Sequence, residues 1–123
     1  MKCVVTGAGG FLGGHLVKIL LSEGHDILAS DIKPKSDWLQ IHPGSMNLFN
    51  HDLSTYQMAK KAIYYEADEV YNLACNMGGI RFIEENPFDC VFSVDITSSM
   101  LKAAVDLKVK RFFQSSSACA YPV

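Results

Sequence analysis

Gly7, Gly10 and Gly13 recur at every third position between a short β-branched run and an amphipathic stretch. Glycines so spaced suit the binding of a diphosphate. Gly7 permits a tight turn, Gly10 lets backbone approach the anion, and Gly13 lets a helix pack close to a sheet. A helix opening through Phe11 and Leu12 would add free N–H groups and a partial positive charge. The spacing is G-x-x-G-x-x-G; the G-x-G-x-x-G form does not fit, because Leu12 stands where its last glycine would be. Such a trio also serves as a plain turn, so its meaning depends on the residues downstream of it.

Asp31 comes at about the ~20-residue interval expected of a ribose-binding acid. A carboxylate there accepts hydrogen bonds from both ribose hydroxyls and repels a 2′-phosphate, which favours NAD over NADP. Lys33 and Lys35 soften that preference, and capping a turn is the alternative role for Asp31. His51-Asp52-Leu53 comes next. Asp52, with Leu53 beside it, is placed to receive the adenine amino group, or else to start the following helix. Leu73 and Ala74 are small enough to let a dinucleotide lie across the sheet. Gly7, Gly10, Phe11, Leu12, Gly13, Asp31, Asp52, Leu53, Leu73 and Ala74 are therefore the expected cofactor contacts.

The elements that would position these residues alternate. Strands are expected at Lys2–Thr6, Asp26–Asp31, Met46–His51, Glu69–Ala74 and Arg111–Ser115. The first helix carries Leu12, Leu16, Ile19 and Leu20 on one stripe and stops at Gly24. A capping box, Ser54-Thr55-Tyr56-Gln57, opens a second helix reaching roughly Glu66. Asn86-Pro87 opens a third, which carries Val91, Met100, Leu101, Ala104 and Val105 and ends near Leu107. Alternation of this kind means right-handed crossovers and a doubly wound, Rossmann-type parallel sheet of about five strands and three helices. The fifth strand would lie at a sheet edge. Residues 1–123 thus read as the N-terminal part of a larger dinucleotide-binding domain, with its C-terminal part and a substrate domain absent.

Composition narrows the class. At 49% apolar and 20% charged residues, the chain has the makeup of a globular domain rather than a disordered one. A net charge of -2 gives no electrostatic case for nucleic acid or an anionic membrane. No apolar run is long enough for a membrane span. The cysteines Cys3, Cys75, Cys90 and Cys119 stand far apart, which argues against a metal site or a disulfide scaffold and suits a reducing cytoplasm. Cys3 and Cys90 read as core.

Taken together, the glycine spacing, Asp31, the His51-Asp52-Leu53 segment, Asn72-Leu73-Ala74 and the strand running into Ser115-Ser116-Ser117 resemble the extended short-chain dehydrogenase/reductase family, the NAD-dependent epimerases and dehydratases. Two stretches are similar to its GDP-mannose 3,5-epimerase branch: Asn72 to Gly79, and Lys110 to Pro122 with its Ser-Ala-Cys turn. Cys75 and Asn76 stand where alanine and aspartate are usual. Asp95 lies near a usual asparagine.

The resemblance implies a nucleotide-sugar substrate, a GDP-sugar if it extends to that branch, with transient oxidation at C4, proton transfer at C3 and C5, and re-reduction. It implies a homodimer of the complete protein. Ser117 would hydrogen-bond the C4 oxygen, Cys119 would be the acid/base, and Gly78 would lie against the sugar. A thiol, with a reference pKa near ~8.5, can both donate and accept a proton near neutrality; a buried apolar role is the alternative for Cys119. Other reactions of the family (dehydration, 4-epimerisation, reduction) and a non-catalytic NAD-binding role are open alternatives. The family's catalytic Tyr-x-x-x-Lys should follow the fifth strand. The one match here, Tyr56 to Lys60, precedes it and is expected to be a surface pair; Tyr121 stands two residues from the last. The chain alone is expected to be inactive.

Overall fold

A computed structural model describes residues 1–63, 66–75 and 80–116, apart from the side chains of Ile80, Phe82 and Ile83. Five strands form one sheet: β1 (Lys2–Thr6), β2 (Asp26–Ser30), β3 (Ser45–Leu48), β4 (Glu69–Asn72) and β5 (Arg111–Gln114). Their order is β3-β2-β1-β4-β5, and every pairing is parallel. The chain runs outward from β1 to β3, then returns to the other side of β1. That reversal leaves a crevice at the carboxyl ends of β1 and β4, where open α/β sheets bind ligands.

β1 is buried on both faces, as a central parallel strand must be. Cys3 and Val5 point to the side covered by α1 (Phe11–Ser22), where they meet Val17, Leu20, Ile27 and Ala29. Val4 points the other way, into a layer built from Leu28, Val70, Ala59, Ile63, Met100 and Ala103. The helical side of that layer is α2 (Tyr56–Ile63) and α4 (Pro87–Asp106). A short helix, α3 (Ile80–Glu85), precedes α4 and has no counterpart among the elements expected from sequence. Among the described residues no helix is long and apolar enough to cross a membrane.

Several expectations need correction. On α1 the buried face is Gly13, Gly14, Val17 and Leu20, whereas Leu12 and Ile19 are exposed. The helix approaches the sheet through glycines, which carry no apolar signal, so the stripe is rotated from the one that leucine spacing suggests. On α4, Met100, Ala103 and Ala104 are buried, while Val91, Leu101 and Val105 are exposed. This helix is apolar on more than one side, so periodicity does not single out the inner face. Cys3 is core, but Cys90 is only half-buried. The cap of α2 is shifted by one residue from Ser54: Met58 N–H donates to Thr55 Oγ1 at 3.4 Å.

The amino ends of the strands are tied by charge. Asp68 accepts the Lys2 N–H at 2.9 Å and the Lys110 ammonium at 2.6 Å. Glu69, buried at the start of β4, takes Arg111 at 3.2 Å and the Tyr71 hydroxyl at 2.7 Å. The Lys110 hydrogen bond, followed by the Lys2 N–H, holds the Asp68 carboxyl below its ordinary pKa. A depressed carboxylate pKa stabilises the fold above the unfolded value, near ~3.9, and that contribution is lost as pH falls through the lower folded value. Thermal melts across acid pH should therefore show Asp68→Asn less stable than the parent at neutral pH. The gap should close as pH drops below about 4.

Candidate functional site

The crevice is a cleft of about 810 Å³, within the range of about 300–1,000 Å³ usual for small-molecule and cofactor sites. Gly7, Gly10, Phe11, Leu12, Gly13, Asp31, Asp52, Leu53, Leu73 and Ala74 all line it, so every residue expected to contact a cofactor faces one space. Ile32, Lys33, His51, Ser54, Cys75, Phe92, Ile96 and Ser115 complete the wall.

Each glycine of the trio has its own reason. Gly7 has φ +70°, and a Cβ there would lie 2.8 Å from the Leu73 carbonyl group of the neighbouring strand end. A Cβ on Gly13 would collide with the Gly7 carbonyl oxygen and come within 2.7 Å of Ala8 Cα. Gly10 is different: a Cβ would meet only the Gly7 oxygen, at 3.3 Å. Geometry therefore needs glycine at positions 7 and 13, whereas at 10 it keeps the mouth of the loop open. The first helical bond is Gly14 N–H to the Gly10 carbonyl. The amides of Phe11, Leu12 and Gly13 precede it and have no partner within the helix.

Asp31 is 7% exposed and accepts two backbone bonds, from Gly9 N–H at 2.9 Å and Lys33 N–H at 3.0 Å. One oxygen faces each donor, and a carboxylate has lone pairs to spare for ribose hydroxyls. Asp52 Oδ1 accepts Ser54 N–H at 2.9 Å, so it shapes the turn before α2 while still lining the cleft. Both roles foreseen for Asp52 are compatible.

Sequence reasoning missed a polar ladder under the cleft. Thr6, Asn72 and Gln114 stand in register on β1, β4 and β5. The Thr6 hydroxyl donates to Asn72 Oδ1 at 2.5 Å, and Asn72 Nδ2 donates to Gln114 Oε1 at 2.7 Å. Thr6 Oγ1 also accepts Ala74 N–H at 3.3 Å, which fixes the strand exit that carries Leu73 and Ala74. Gly9 and Trp38 were missed too, and the buried His51, read only as part of the His51-Asp52-Leu53 segment, was given no role of its own. His51 is pinned by a 2.8 Å bond between its Nε2 and the Met58 carbonyl. The polar type of Thr6 and Asn72 at the ends of apolar strands was the available signal; Trp38, in an aperiodic loop, gave none.

A second hollow of about 490 Å³ shares Cys75 and Ser115 with the cleft and is otherwise lined by Ser93, Val94, Thr97, Ser98, Gln114 and Ser116. Among the described residues its lining is hydroxyl-rich and carries no charged side chain, a chemistry suited to sugar hydroxyls. Gly78, Ser117 and Cys119 lie outside the described residues, as do Asn76, Met77 and Gly79.

Tyr56 and Lys60 both lie on α2; Lys60 is exposed as expected, whereas Tyr56 is half-buried against the core. The Tyr56 hydroxyl donates to Asp106 at 2.6 Å, and that bond raises the phenol pKa, the reverse of what a proton-donating tyrosine needs. Neither residue lines either hollow. Among the described residues no cluster of metal-ligating side chains occurs.

The sequence model of the NAD dependent epimerase/dehydratase family matches residues 3–123. The chain belongs to that family. Over 99% of its length it is 39% identical to "GDP-mannose 3,5-epimerase 1" of Oryza sativa subsp. indica, and over the same share it is 37% identical to "GDP-mannose 3,5-epimerase" of Arabidopsis thaliana. The chain spans 32% of each of these relatives. Among solved structures, the UDP-glucose 4-epimerase of Thermus thermophilus in complex with NAD superposes with a TM-score of 0.79 at 21% identity. It covers 91% of this chain and 36% of that one, and the likeness establishes the fold. A UDP-galactose 4-epimerase gives a TM-score of 0.79 at 27% identity, over 95% of this chain and 39% of its own.

The glycine geometry separates two kinds of loss in this family member. Gly13→Ala should destabilise the fold by about 1–3 kcal/mol, the usual cost of overpacking, seen as a lower urea midpoint. Gly10→Ala should melt close to the parent, yet lose at least about tenfold in dinucleotide affinity by calorimetry.

Proposed function

We propose that this chain is the cofactor-holding part of a nucleotide-sugar epimerase similar to the GDP-mannose 3,5-epimerases. What supports the reading is the convergence of all the cofactor residues expected from sequence on one cleft, in a chain 39% identical to such an enzyme. The cleft fits NAD: Gly13 makes room for the helix, the opening amides of α1 are placed for a diphosphate, and Asp31 offers acceptors for the adenosine ribose. Asp52 and Leu53 would take the adenine, and Leu73 and Ala74 would leave space toward the nicotinamide. Bound there, NAD would supply a reversible hydride acceptor for the sugar.

The chain's own residues have separable roles. The hollow of Ser93, Thr97, Ser98 and Ser116 would orient sugar hydroxyls. Ser117 would hydrogen-bond the C4 oxygen. Cys119 would hold and move the proton at C3 and C5. Gly78 would pack against the sugar. Residues 1–123 would hold the cofactor. The complete protein would pair as a homodimer, which the exposed Val91, Val94, Leu101 and Val105 along α4 favour. A cytoplasmic setting suits its dispersed cysteines. A 4-epimerase is the second reading, supported by the 27% identity to a UDP-galactose 4-epimerase structure.

Two measurements test this. Calorimetry should show NAD binding by the chain and a loss of at least about tenfold with Asp31→Ala; equal binding by that variant would overturn the cofactor placement. In the complete protein, GDP-mannose should yield 3- and 5-epimerised products, and Cys119→Ser should suppress solvent exchange at C3 and C5. A product inverted only at C4 would favour the second reading.

A further inference from the structure

Gly9 stands outside the glycine trio, yet it too is closely restrained. Its N–H donates to Asp31 Oδ2 at 2.9 Å, and its carbonyl accepts Leu39 N–H at 3.1 Å. A Cβ on it would lie 2.9 Å from Trp38 Cδ1 and 3.0 Å from the Asp31 carboxylate. Gly9 is thus sandwiched between an indole ring and an acid, with a hydrogen bond at each of its backbone polar groups.

The indole is itself held. Trp38 is 8% exposed, its Nε1–H donates to the Lys33 carbonyl at 3.1 Å, and Phe49 meets its ring edge-on at a centroid distance of 4.8 Å. These contacts bring the connection between β2 and β3 back onto the glycine loop. Residues 33 to 44, between β2 and β3, form a brace behind the glycine loop.

We propose that Trp38 is a positioning residue for diphosphate binding, acting through Gly9. The residue after Gly9 caps α1, and the amides of Phe11, Leu12 and Gly13 follow directly. Fixing Gly9 fixes the direction of those donors before ligand arrives, so less ordering is left to binding. Asp31 closes the circuit, because one of its oxygens restrains Gly9 while the carboxylate faces the ribose end of the cleft. The brace touches no cofactor atom in this scheme; it sets where the cradle stands. The inference rests on the cofactor placement proposed above.

The test compares ligands with and without a diphosphate on folded protein, with folding checked by thermal denaturation. Trp38→Ala should weaken ADP and NAD by about tenfold, while adenosine affinity stays within about twofold. Trp38→Phe keeps a ring against Gly9 and should restore ADP affinity to within about threefold of the parent. Leu39→Pro removes the donor to the Gly9 carbonyl without touching a core side chain, since Leu39 is exposed. It should show the same selective loss, and it decides the matter if Trp38→Ala does not fold. Equal weakening of ADP and adenosine, or unchanged ADP affinity, would overturn the role of Trp38 while leaving the cofactor placement intact. Failure of the parent chain to bind NAD would overturn both.

Discussion

The contact on which the rest depends is the approach of α1 to the turn that precedes it. Gly13 lies so close to the Gly7 carbonyl that no side-chain atom fits between them. That closeness aims the helix axis at the cleft and brings its opening amides over the strand ends. It also lets Val17 and Leu20 reach the sheet and pack on Cys3, Val5 and Ile27. A helix held farther out would lose both the apolar layer and the donor array. Folding and the shape of the cleft therefore share one steric requirement at a single residue pair.

Around this contact the sheet order does the remaining placement. β2 and β4 flank β1, so Asp31 and Leu73 emerge on either side of the glycine turn. The backbone of Asp31 is locked in turn: its N–H bonds to the Leu48 carbonyl and its carbonyl accepts the His51 N–H. The acid is thereby held by β3 and the loop after it, as well as by its own strand. The side chains with shifted pKa values sit elsewhere. The Tyr71 phenol, pushed up to about 12 by its bond to Glu69, and the Cys3 thiol, raised by burial, belong to the body of the sheet. They serve packing there, not the cleft.

Much of this was legible in the sequence. The strands announce themselves by β-branched runs, and the parallel order follows from their alternation with helices. The wall of the cleft was legible because residue type matches position there, with glycine for closeness, an acid at a strand end and small apolar groups for a floor. The features that escaped did so for physical reasons. Gly13 and Gly14 define the inner face of α1 but weigh nothing on a hydrophobic scale. α4 has more apolar residues than its inner face needs, so Val91, Leu101 and Val105 looked like core. Trp38 and Gly9 meet only through tertiary folding of an aperiodic loop. In the sequence Asp52 reads as an adenine contact or else as a helix starter; the structure has it shaping the turn before α2 while lining the cleft.

The ladder from Thr6 to Gln114 has a direction. Thr6 gives its proton to Asn72, Asn72 gives one to Gln114, and Gln114 gives one to the Ser115 carbonyl at 2.9 Å. Like a row of dominoes, each amide is oriented by the one before it. A chemical ageing event that turned Asn72 into aspartate would place an oxygen against the Gln114 oxygen. Gln114 would have to rotate and would then release Ser115. Damage at one buried amide would thus be transmitted to the neighbouring strand and on to the serine that borders both hollows.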